Sequence, residues 1–354
     1  MPKVSFPHLG SYCVPIKVLF TRGIDVEYIV PPTITRRTLE IGSKYSPDYV
    51  CAPFKYMLGN YIETIEAGAD TLVQTGGVCR LGYYGELHEQ ILKDLGYHVN
   101  FVNTARASYS HPTTFIDEFK KINPDVSIKK VVAVMPLVLK MVRQIDDVED
   151  FIRRNVGFEE VHGSFERVHD EYLHALEDVP DVKALDKLGK QTMHTLKQLP
   201  VNIPKDALKV GIVGEYYTIM VPFSNHFIER ELARMNIQVE RWMSVSNSIL
   251  HYPRKEMHYH IKNYVKYDMG ATSMATVDKA LDFAKRGFDG IIHLKSFGCT
   301  PEMDTMPVLQ NIAQDYKIPI LYFSFDSQTS ETGIQTRLEA FHDMIVMRKE
   351  HKSK

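Results

Sequence analysis

Cys51-Ala52-Pro53-Phe54-Lys55 is the stretch from which the fold of this chain is predicted. A short strand-like run at 48–50 precedes it, and residues 54–67 follow with the apolar spacing of a helix. Strands that alternate with helices of this length indicate βαβ units and a mostly parallel sheet. The stretch therefore predicts an α/β fold.

The same pattern recurs at two later cysteines. Gly76-Gly77-Val78-Cys79-Arg80 lies between a strand-like run at 71–75 and a helical run at 83–95, and Phe297-Gly298-Cys299-Thr300-Pro301 lies between 290–294 and 304–316. Sites in open α/β sheets form outside the carboxyl ends of the strands. A thiol at a helix N-terminus is acidified by the helix dipole. We therefore expect three thiolates to face one crevice, which favours a metal site.

Composition excludes several classes of protein. The 354 residues are 44% hydrophobic and 24% charged, which is typical of a globular protein of two or three domains. The formal charge of −2 provides no basic excess for nucleic acid, and no apolar run approaches the ~20 residues of a membrane span. The first eight residues lack the apolar core of a signal peptide, and four cysteines are too few for a disulfide scaffold. A cytoplasmic protein with no nucleic-acid or membrane partner is expected.

The predicted organisation is two α/β domains with a helical insertion between them. Residues 1–145 alternate strand-like and helical runs, although the apolar run at 131–135 fits either a buried strand or the start of a helix. Residues 146–205 carry dense mixed charge with apolar residues at helical spacing, and Pro200 and Pro204 close this segment. The strand pattern resumes at 208–214. We predict doubly wound, Rossmann-like domains at 1–145 and 206–354, each with a mostly parallel sheet.

Residue chemistry alone leaves the role of the three cysteines open. Each is either a ligand or a buried small residue, as free cysteine often is. The repeated context and the neighbouring Gly76, Gly77 and Gly298, which let backbone approach a bulky group, favour ligands. Because no compact CxxC pair is present, a zinc ribbon is not indicated. Ligands spread over two domains predict a cluster at the domain interface.

Longer stretches around these cysteines resemble the (R)-2-hydroxyacyl-CoA dehydratase superfamily, most closely its stand-alone, activase-related branch. The matching stretches are Cys51-Ala52-Pro53-Phe54-Lys55-Tyr56-Met57-Leu58-Gly59-Asn60, Gly76-Gly77-Val78-Cys79-Arg80-Leu81-Gly82-Tyr83-Tyr84-Gly85-Glu86-Leu87 and Phe297-Gly298-Cys299-Thr300-Pro301-Glu302. Gly214-Glu215, Pro222-Phe223-Ser224-Asn225, Phe325-Asp326, Thr332 and Thr336-Arg337-Leu338-Glu339-Ala340-Phe341 extend the resemblance in order over nearly the whole chain.

This resemblance implies a cofactor, partners and a reaction. Cys51, Cys79 and Cys299 would hold an iron–sulfur cluster, of the 4Fe–4S type or of the double-cubane type that some relatives carry. An ATP-dependent activase would supply a low-potential electron, with which dehydratase members reduce an acyl-CoA thioester to a ketyl radical and other relatives reduce small molecules. A dimer with a copy of the chain or with a paralogous subunit is expected by analogy.

Cys13 decides between two classes of function. It lies in the glycine-led loop Gly10-Ser11-Tyr12-Cys13-Val14-Pro15 and is either a fourth ligand or an ordinary buried cysteine. Three ligands leave one iron open to substrate, whereas a fourth would close the cluster. A closed cluster would make the chain a non-enzymatic electron-transfer or cluster-carrying accessory protein. A further alternative is a binding domain that holds zinc or no metal.

Glu215 and Glu302 are the candidate catalytic acids and bases. Glu215 follows a predicted strand end, and Glu302 lies three residues beyond Cys299; helix capping or a surface charge is the alternative for both. His293 alternates within an apolar strand and is predicted to be a hydrogen-bonded core histidine. The remaining candidates are side chains that either serve the site or lie at the surface: Lys55, Arg80, His251, His258 and His260.

Overall fold

The computed structural model of the chain describes residues 1–74, 79, 83–104 and 113–353. These residues form two compact units, Met1–Ile145 with Leu173–Leu188, and Asp146–Tyr172 with Gly189–Lys354. Each unit contains one four-stranded, all-parallel sheet flanked by helices. The predicted α/β fold with two Rossmann-like domains is therefore confirmed.

The sheet of the first unit consists of β1 (Lys3–Ser5), β2 (Glu27–Tyr28), β3 (Thr71–Gln74) and β4 (Asn100–Asn103). The strand order is β2–β1–β3–β4. All four residues of β3 are buried, which explains their continuous apolar and small-polar character. An apolar cluster that includes Val4, Ile24, Val73 and Val102 forms part of the core on this sheet.

Eight helices belong to the first half of the chain and the helical segment, among the residues that the structure describes. They are α1 (Cys13–Val18), α2 (Arg36–Tyr45), α3 (Ala52–Glu66), α4 (Tyr84–Asp94), α5 (Thr113–Ile122), α6 (Ile128–Asn155), α7 (Ser164–Glu177) and α8 (Val182–Gln198). The ambiguous run at 131–135 lies inside α6, so the helical alternative is the right one.

Helices α2 and α3 pack with their backbones in contact. A Cβ atom placed on Gly42 would lie 1.8 Å from the carbonyl oxygen of Lys55, and one on Gly59 would lie 1.9 Å from that of Thr38. Beside this contact, the hydroxyl of Thr38 donates to the Glu63 carboxylate at 2.7 Å. Because only glycine fits at both crossing points, the position of α3 on α2 is tightly fixed.

The strand predicted at 48–50 is wrong. These residues form a turn in which the N–H of Val50 donates to the carbonyl of Pro47 at 3.4 Å. The side chain of Tyr49 is fully exposed, so the apolar run has no buried face that a sheet could use. Cys51 therefore ends a connection between two helices, α2 and α3.

The sheet of the second unit consists of β5 (Leu208–Gly214), β6 (Ile237–Arg241), β7 (Gly290–Ser296) and β8 (Ile320–Phe325). Its order is β6–β5–β7–β8, so the strands of each unit, taken in chain order, are arranged second, first, third, fourth. Every residue of β7 is buried.

Six helices complete the second unit in the part of the chain that the structure describes. They are α9 (Tyr216–Met220), α10 (Ile228–Arg234), α11 (Arg254–Ile261), α12 (Ser273–Lys285), α13 (Thr300–Asp315) and α14 (Glu331–Ser353). Shorter 3₁₀ turns occur at Gly10–Tyr12, Val156–Phe158 and Pro222–Asn225, and π-helical turns occur at Leu19–Ile24 and Ser246–Leu250. None of the helices described is both long and apolar enough to cross a membrane.

The segment 223–235 is not one continuous helix. His226 and Phe227 adopt left-handed backbone conformations with φ of 55° and 56°, between the 3₁₀ turn Pro222–Asn225 and α10. The Asn225 side chain donates to the carbonyl of Thr218 at 2.7 Å and accepts the N–H of Ile228 at 3.2 Å. These two bonds stabilise the break, because they satisfy backbone groups that a continuous helix would pair.

Candidate functional site

Cys51 is the N-cap residue of α3. Its backbone is extended, with φ of −66° and ψ of 156°, and its carbonyl accepts the N–H of Phe54 at 3.1 Å. Its side chain makes no capping hydrogen bond and is half-buried. The positive end of the helix dipole favours a thiolate at this position.

Cys79 lies between the end of β3 and the start of α4. It forms no disulfide and is half-buried. The surrounding residues of the predicted motif, Gly76, Gly77, Arg80 and Leu81, lie outside the described residues. The structure therefore gives the place of Cys79 along the chain, after a buried strand and before a helix, as the sequence predicts.

His88 joins the segments on either side of these two cysteines. It lies fully buried on α4, with Nε2 3.1 Å from the carbonyl oxygen of Phe54 and Nδ1 2.9 Å from the side-chain amide oxygen of Gln74. The imidazole also stacks on the ring of Phe54, with centroids 3.9 Å apart. Burial lowers the pKa of His88 to about 3, so the ring is neutral at physiological pH.

Cys299 caps α13 in the way that Cys51 caps α3. Its φ is −70° and its ψ is 96°, its N–H donates to Ser296 at 3.1 Å, and its carbonyl accepts the N–H of Met303 at 2.9 Å. The thiol makes no capping hydrogen bond and is half-buried. Phe297, two residues before Cys299, is 66% exposed.

Glu302 lies in the first turn of α13 and is completely buried. Its carboxylate accepts hydrogen bonds from the hydroxyls of Thr272 and Thr276 and from Nε2 of His293, the last at 2.8 Å. Thr272 and Thr276 belong to the start of α12, and His293 belongs to β7. Glu302 therefore holds together three elements, and it is neither a surface charge nor a simple cap.

His293 is a core histidine with one nitrogen unused. Among the described residues, no hydrogen-bond partner reaches its Nδ1, and the buried hydroxyl of the adjacent Tyr322 also has none. The two rings meet edge to face with centroids 5.6 Å apart. The prediction of a hydrogen-bonded core histidine thus holds for Nε2 alone.

Glu215 caps the short helix α9. Its carboxylate accepts the N–H groups of Tyr217 and Thr218, both at 2.8 Å, and the hydroxyl of Thr218. Burial raises the pKa of Glu215 to about 7; the bonds from Thr218 and Tyr217 oppose this shift, and the charge of Glu302 adds to it. The capping alternative describes its geometry, while its pKa lies where an acid–base group works at neutral pH.

Lys295 is a buried cation close to Cys299. It lies on β7 and donates to the hydroxyl of Ser324 at 3.0 Å. Burial lowers its pKa, whereas the charges of Cys299 and Glu302 act in the opposite direction. Sequence reasoning missed this residue because a lysine inside an apolar strand gives no motif. A positive charge here would stabilise a thiolate at Cys299.

Cys13 is the first residue of α1, just after the loop that follows β1. Burial raises the pKa of its thiol, against backbone hydrogen bonds that lower it. A raised pKa disfavours the thiolate form that a metal ligand needs. Whether Cys13 is a fourth ligand or an ordinary buried cysteine stays a prediction.

His251, His258 and His260 do not form a metal site with one another. His260 bonds through Nδ1 to the buried carboxylate of Asp278 at 2.6 Å, and His251 and His258 are not part of this pair. Over the described residues, no group of three or more His, Cys, Asp or Glu side chains is arranged so that it could hold a metal ion. Lys55 lies half-buried on α3.

The donor chemistry of the three predicted ligands fits an iron–sulfur cluster. Cys51, Cys79 and Cys299 are half-buried cysteines outside any disulfide, and thiolates are the ligands that such clusters require. Cys51 and Cys79 belong to the first unit and Cys299 to the second. Their meeting at one cluster stays a prediction.

The fold and these cysteines define an α/β protein with thiol-bearing helix N-termini. Residues 212–345 match the family model described as 2-hydroxyglutaryl-CoA dehydratase, D-component. The match confirms the predicted resemblance to the (R)-2-hydroxyacyl-CoA dehydratase superfamily. It includes Glu215, Cys299 and Glu302 but not Cys51 or Cys79, and the activase-related branch stays a prediction. A search of curated proteins found no match.

Proposed function

We propose that this dehydratase-like chain is an iron–sulfur subunit that accepts low-potential electrons from an ATP-dependent activase. It would use them for reductive chemistry on an acyl-CoA or another small molecule, as a cytoplasmic protein paired with a second copy or with a paralogous subunit. The observation that carries the proposal is the family match over a range that contains Cys299 at a helix N-cap.

Cys51, Cys79 and Cys299 would hold the cluster, with the N-termini of α3 and α13 offsetting its negative charge. When bound, the cluster would supply a one-electron reduction at low potential. The buried ammonium of Lys295 would stabilise the thiolate of Cys299.

The two carboxyl groups would have different roles. Glu302 has its oxygens engaged by Thr272, Thr276 and His293, so it would position the first turn of α13 and with it Cys299. Glu215, whose pKa of about 7 is raised by burial, would hold or release a proton near neutral pH. With Cys13 outside the ligand set, three thiolates would leave one iron open to substrate, as an enzyme of this kind needs.

Anaerobic purification followed by iron, sulfide and electron paramagnetic resonance measurements tests this proposal. We expect a coloured protein whose iron affinity falls ~10-fold or more in each of Cys51→Ser, Cys79→Ser and Cys299→Ser. Cys13→Ser is the matched control and should keep its iron. An iron-free preparation of intact, folded wild-type protein would contradict the proposal, and loss of the cluster in Cys13→Ser would favour the closed electron-transfer alternative.

A further inference from the structure

We propose that His88 is a positioning residue that fixes Cys51 and Cys79 relative to each other. It would do so by tying the first turn of α3 to the end of β3 and to α4. The proposal deepens the proposed function and rests on it for the role of the thiols. The placement of the thiols is a property of the chain alone and is tested separately.

The contacts of His88 reach all three segments that flank the two cysteines. Phe54, whose carbonyl oxygen lies 3.1 Å from Nε2, is three residues beyond Cys51. Gln74, whose side chain lies 2.9 Å from Nδ1, ends the strand five residues before Cys79. His88 itself lies on α4, the first helix after Cys79.

Hydrogen-bonding roles fix the orientation of the ring. A carbonyl oxygen only accepts, so Nε2 carries the proton and Nδ1 of the neutral ring accepts. The amide of Gln74 meets this requirement when its NH₂ group faces Nδ1, because the two ends of a glutamine amide are interchangeable in shape. The same NH₂ group then has a second hydrogen for the hydroxyl of Tyr61, which lies 3.2 Å away. In this orientation both ring nitrogens of His88 have a hydrogen-bond partner.

A side chain that merely filled this space would not need two polar atoms. A leucine or phenylalanine fills a core without desolvating any polar group, whereas a buried imidazole is tolerated only when its nitrogens are paired. Both nitrogens of His88 are paired, and both partners lie next to a cysteine segment. The ring is therefore suited to transmit the position of one segment to the other.

Three substitutions separate positioning from general stability. His88→Gln keeps a donor near the place of Nε2, and His88→Phe keeps the aromatic stack and volume but loses both hydrogen bonds. Leu92→Ala is the matched control, since Leu92 lies one turn further along the same buried face of α4 and makes no use of the His88 junction. Melting temperatures identify conditions under which all variants are folded.

The first measurement uses iron-free protein and does not depend on a cofactor. The alkylation rates of Cys51 and Cys79 are followed by peptide mass spectrometry, with Cys299 in the other unit as the internal reference. Loss of the hydrogen bonds should release the first turn of α3, so His88→Phe should react about tenfold faster at both positions. His88→Gln should lie closer to the wild type, and Leu92→Ala should leave the two rates unchanged.

The second measurement is iron binding after anaerobic reconstitution. His88→Phe should lose iron affinity by ~10- to 100-fold, as is usual when a partner behind a metal ligand is removed. Recovery in His88→Gln and retention in Leu92→Ala would support positioning. Wild-type alkylation rates in His88→Phe, or an equal effect of Leu92→Ala, would overturn it. Wild-type protein that binds no iron would contradict the proposed function. The alkylation rates would still decide whether His88 positions the two cysteines.

Discussion

The first and second units build the same kind of junction from opposite chemistry. In each unit the third strand leads to a cysteine, and a buried polar group links that strand to the helix before it and the helix after it. In the first unit an imidazole, His88, donates to the backbone at the start of α3. In the second unit a carboxylate, Glu302, accepts from Thr272 and Thr276 on α12 and from His293 on β7.

The residue at one equivalent position explains why the units differ in their thiols. The helix before the third strand is capped by Cys51 in the first unit and by Thr272 in the second. Neither side chain caps its helix by a hydrogen bond, and the hydroxyl of Thr272 donates to Glu302 instead. The comparison teaches that one framework can carry a hydroxyl at this N-cap in one unit and a thiol in the other.

The largest effect should come from removing the carboxylate. Glu302→Ala leaves three donors without their acceptor, two of them buried, and should lower the free energy of unfolding of the second unit by about 3 kcal/mol or more. Trp242, the single tryptophan of the chain, lies in this unit, so its fluorescence during urea unfolding reports the change.

His88→Phe leaves fewer polar groups without a partner. It should lower the free energy of unfolding of the first unit by about 1–3 kcal/mol. Glu302→Gln, which keeps an acceptor oxygen, should fall between Glu302→Ala and the wild type. Equal urea midpoints for Glu302→Ala and the wild type would show that the carboxylate does not hold α12, β7 and α13 together.

The next largest effect is a pH dependence of folding stability, which should have opposite signs for His88 in the first unit and Glu215 in the second. His88 has a pKa of about 3 in the folded protein against an ordinary value of 6.5, so only the unfolded chain takes up its proton as pH falls through this window. Acid therefore destabilises the fold through His88. Glu215 has a pKa of about 7 against an ordinary 4.5, so the folded protein holds a proton that the unfolded chain has lost, and acid stabilises through Glu215.

Urea midpoints at about pH 8 and about pH 5 check both signs. Relative to the wild type, Glu215→Gln should gain stability as the pH rises, and His88→Gln should gain stability as it falls. Since each unit of pKa difference is about 1.4 kcal/mol, changes of about 1 kcal/mol or more are expected. If either variant has the same pH dependence as the wild type, the substituted residue does not contribute to the pH dependence of stability.

The smallest effect is expected for Cys51→Ser, which should gain folding stability but lose iron binding. Serine is a better N-cap than cysteine, and Cys51 has suitable extended backbone geometry, so Cys51→Ser should stabilise the iron-free protein by about 0.5–1 kcal/mol. The same variant should lose iron. Thermal melting of the iron-free protein, beside Thr272→Ser as the equivalent change in the second unit, measures the first effect. Lower stability in iron-free Cys51→Ser would mean that packing of the thiol outweighs the cap.

Sequence periodicity predicted most of the fold, because β3 and β7 are continuous buried runs and the helices show regular apolar spacing. The turn at 48–50 was misread since an exposed Tyr49 looks like a strand residue when burial is unknown. The left-handed His226 and Phe227 gave no turn signal, because neither residue type favours that conformation. His88 was missed although it shares the buried face of α4 with Leu92, since its partners lie far away along the chain.

The contact between Gly42 and Gly59 limits how residue 51 can move during function. Not even a methyl group fits at either crossing point, so α2 cannot roll or slide on α3 without forcing peptide groups into collision. Any rearrangement that brings Cys51 toward a partner must therefore carry both helices as one rigid lever, or bend the turn at 47–50 between them.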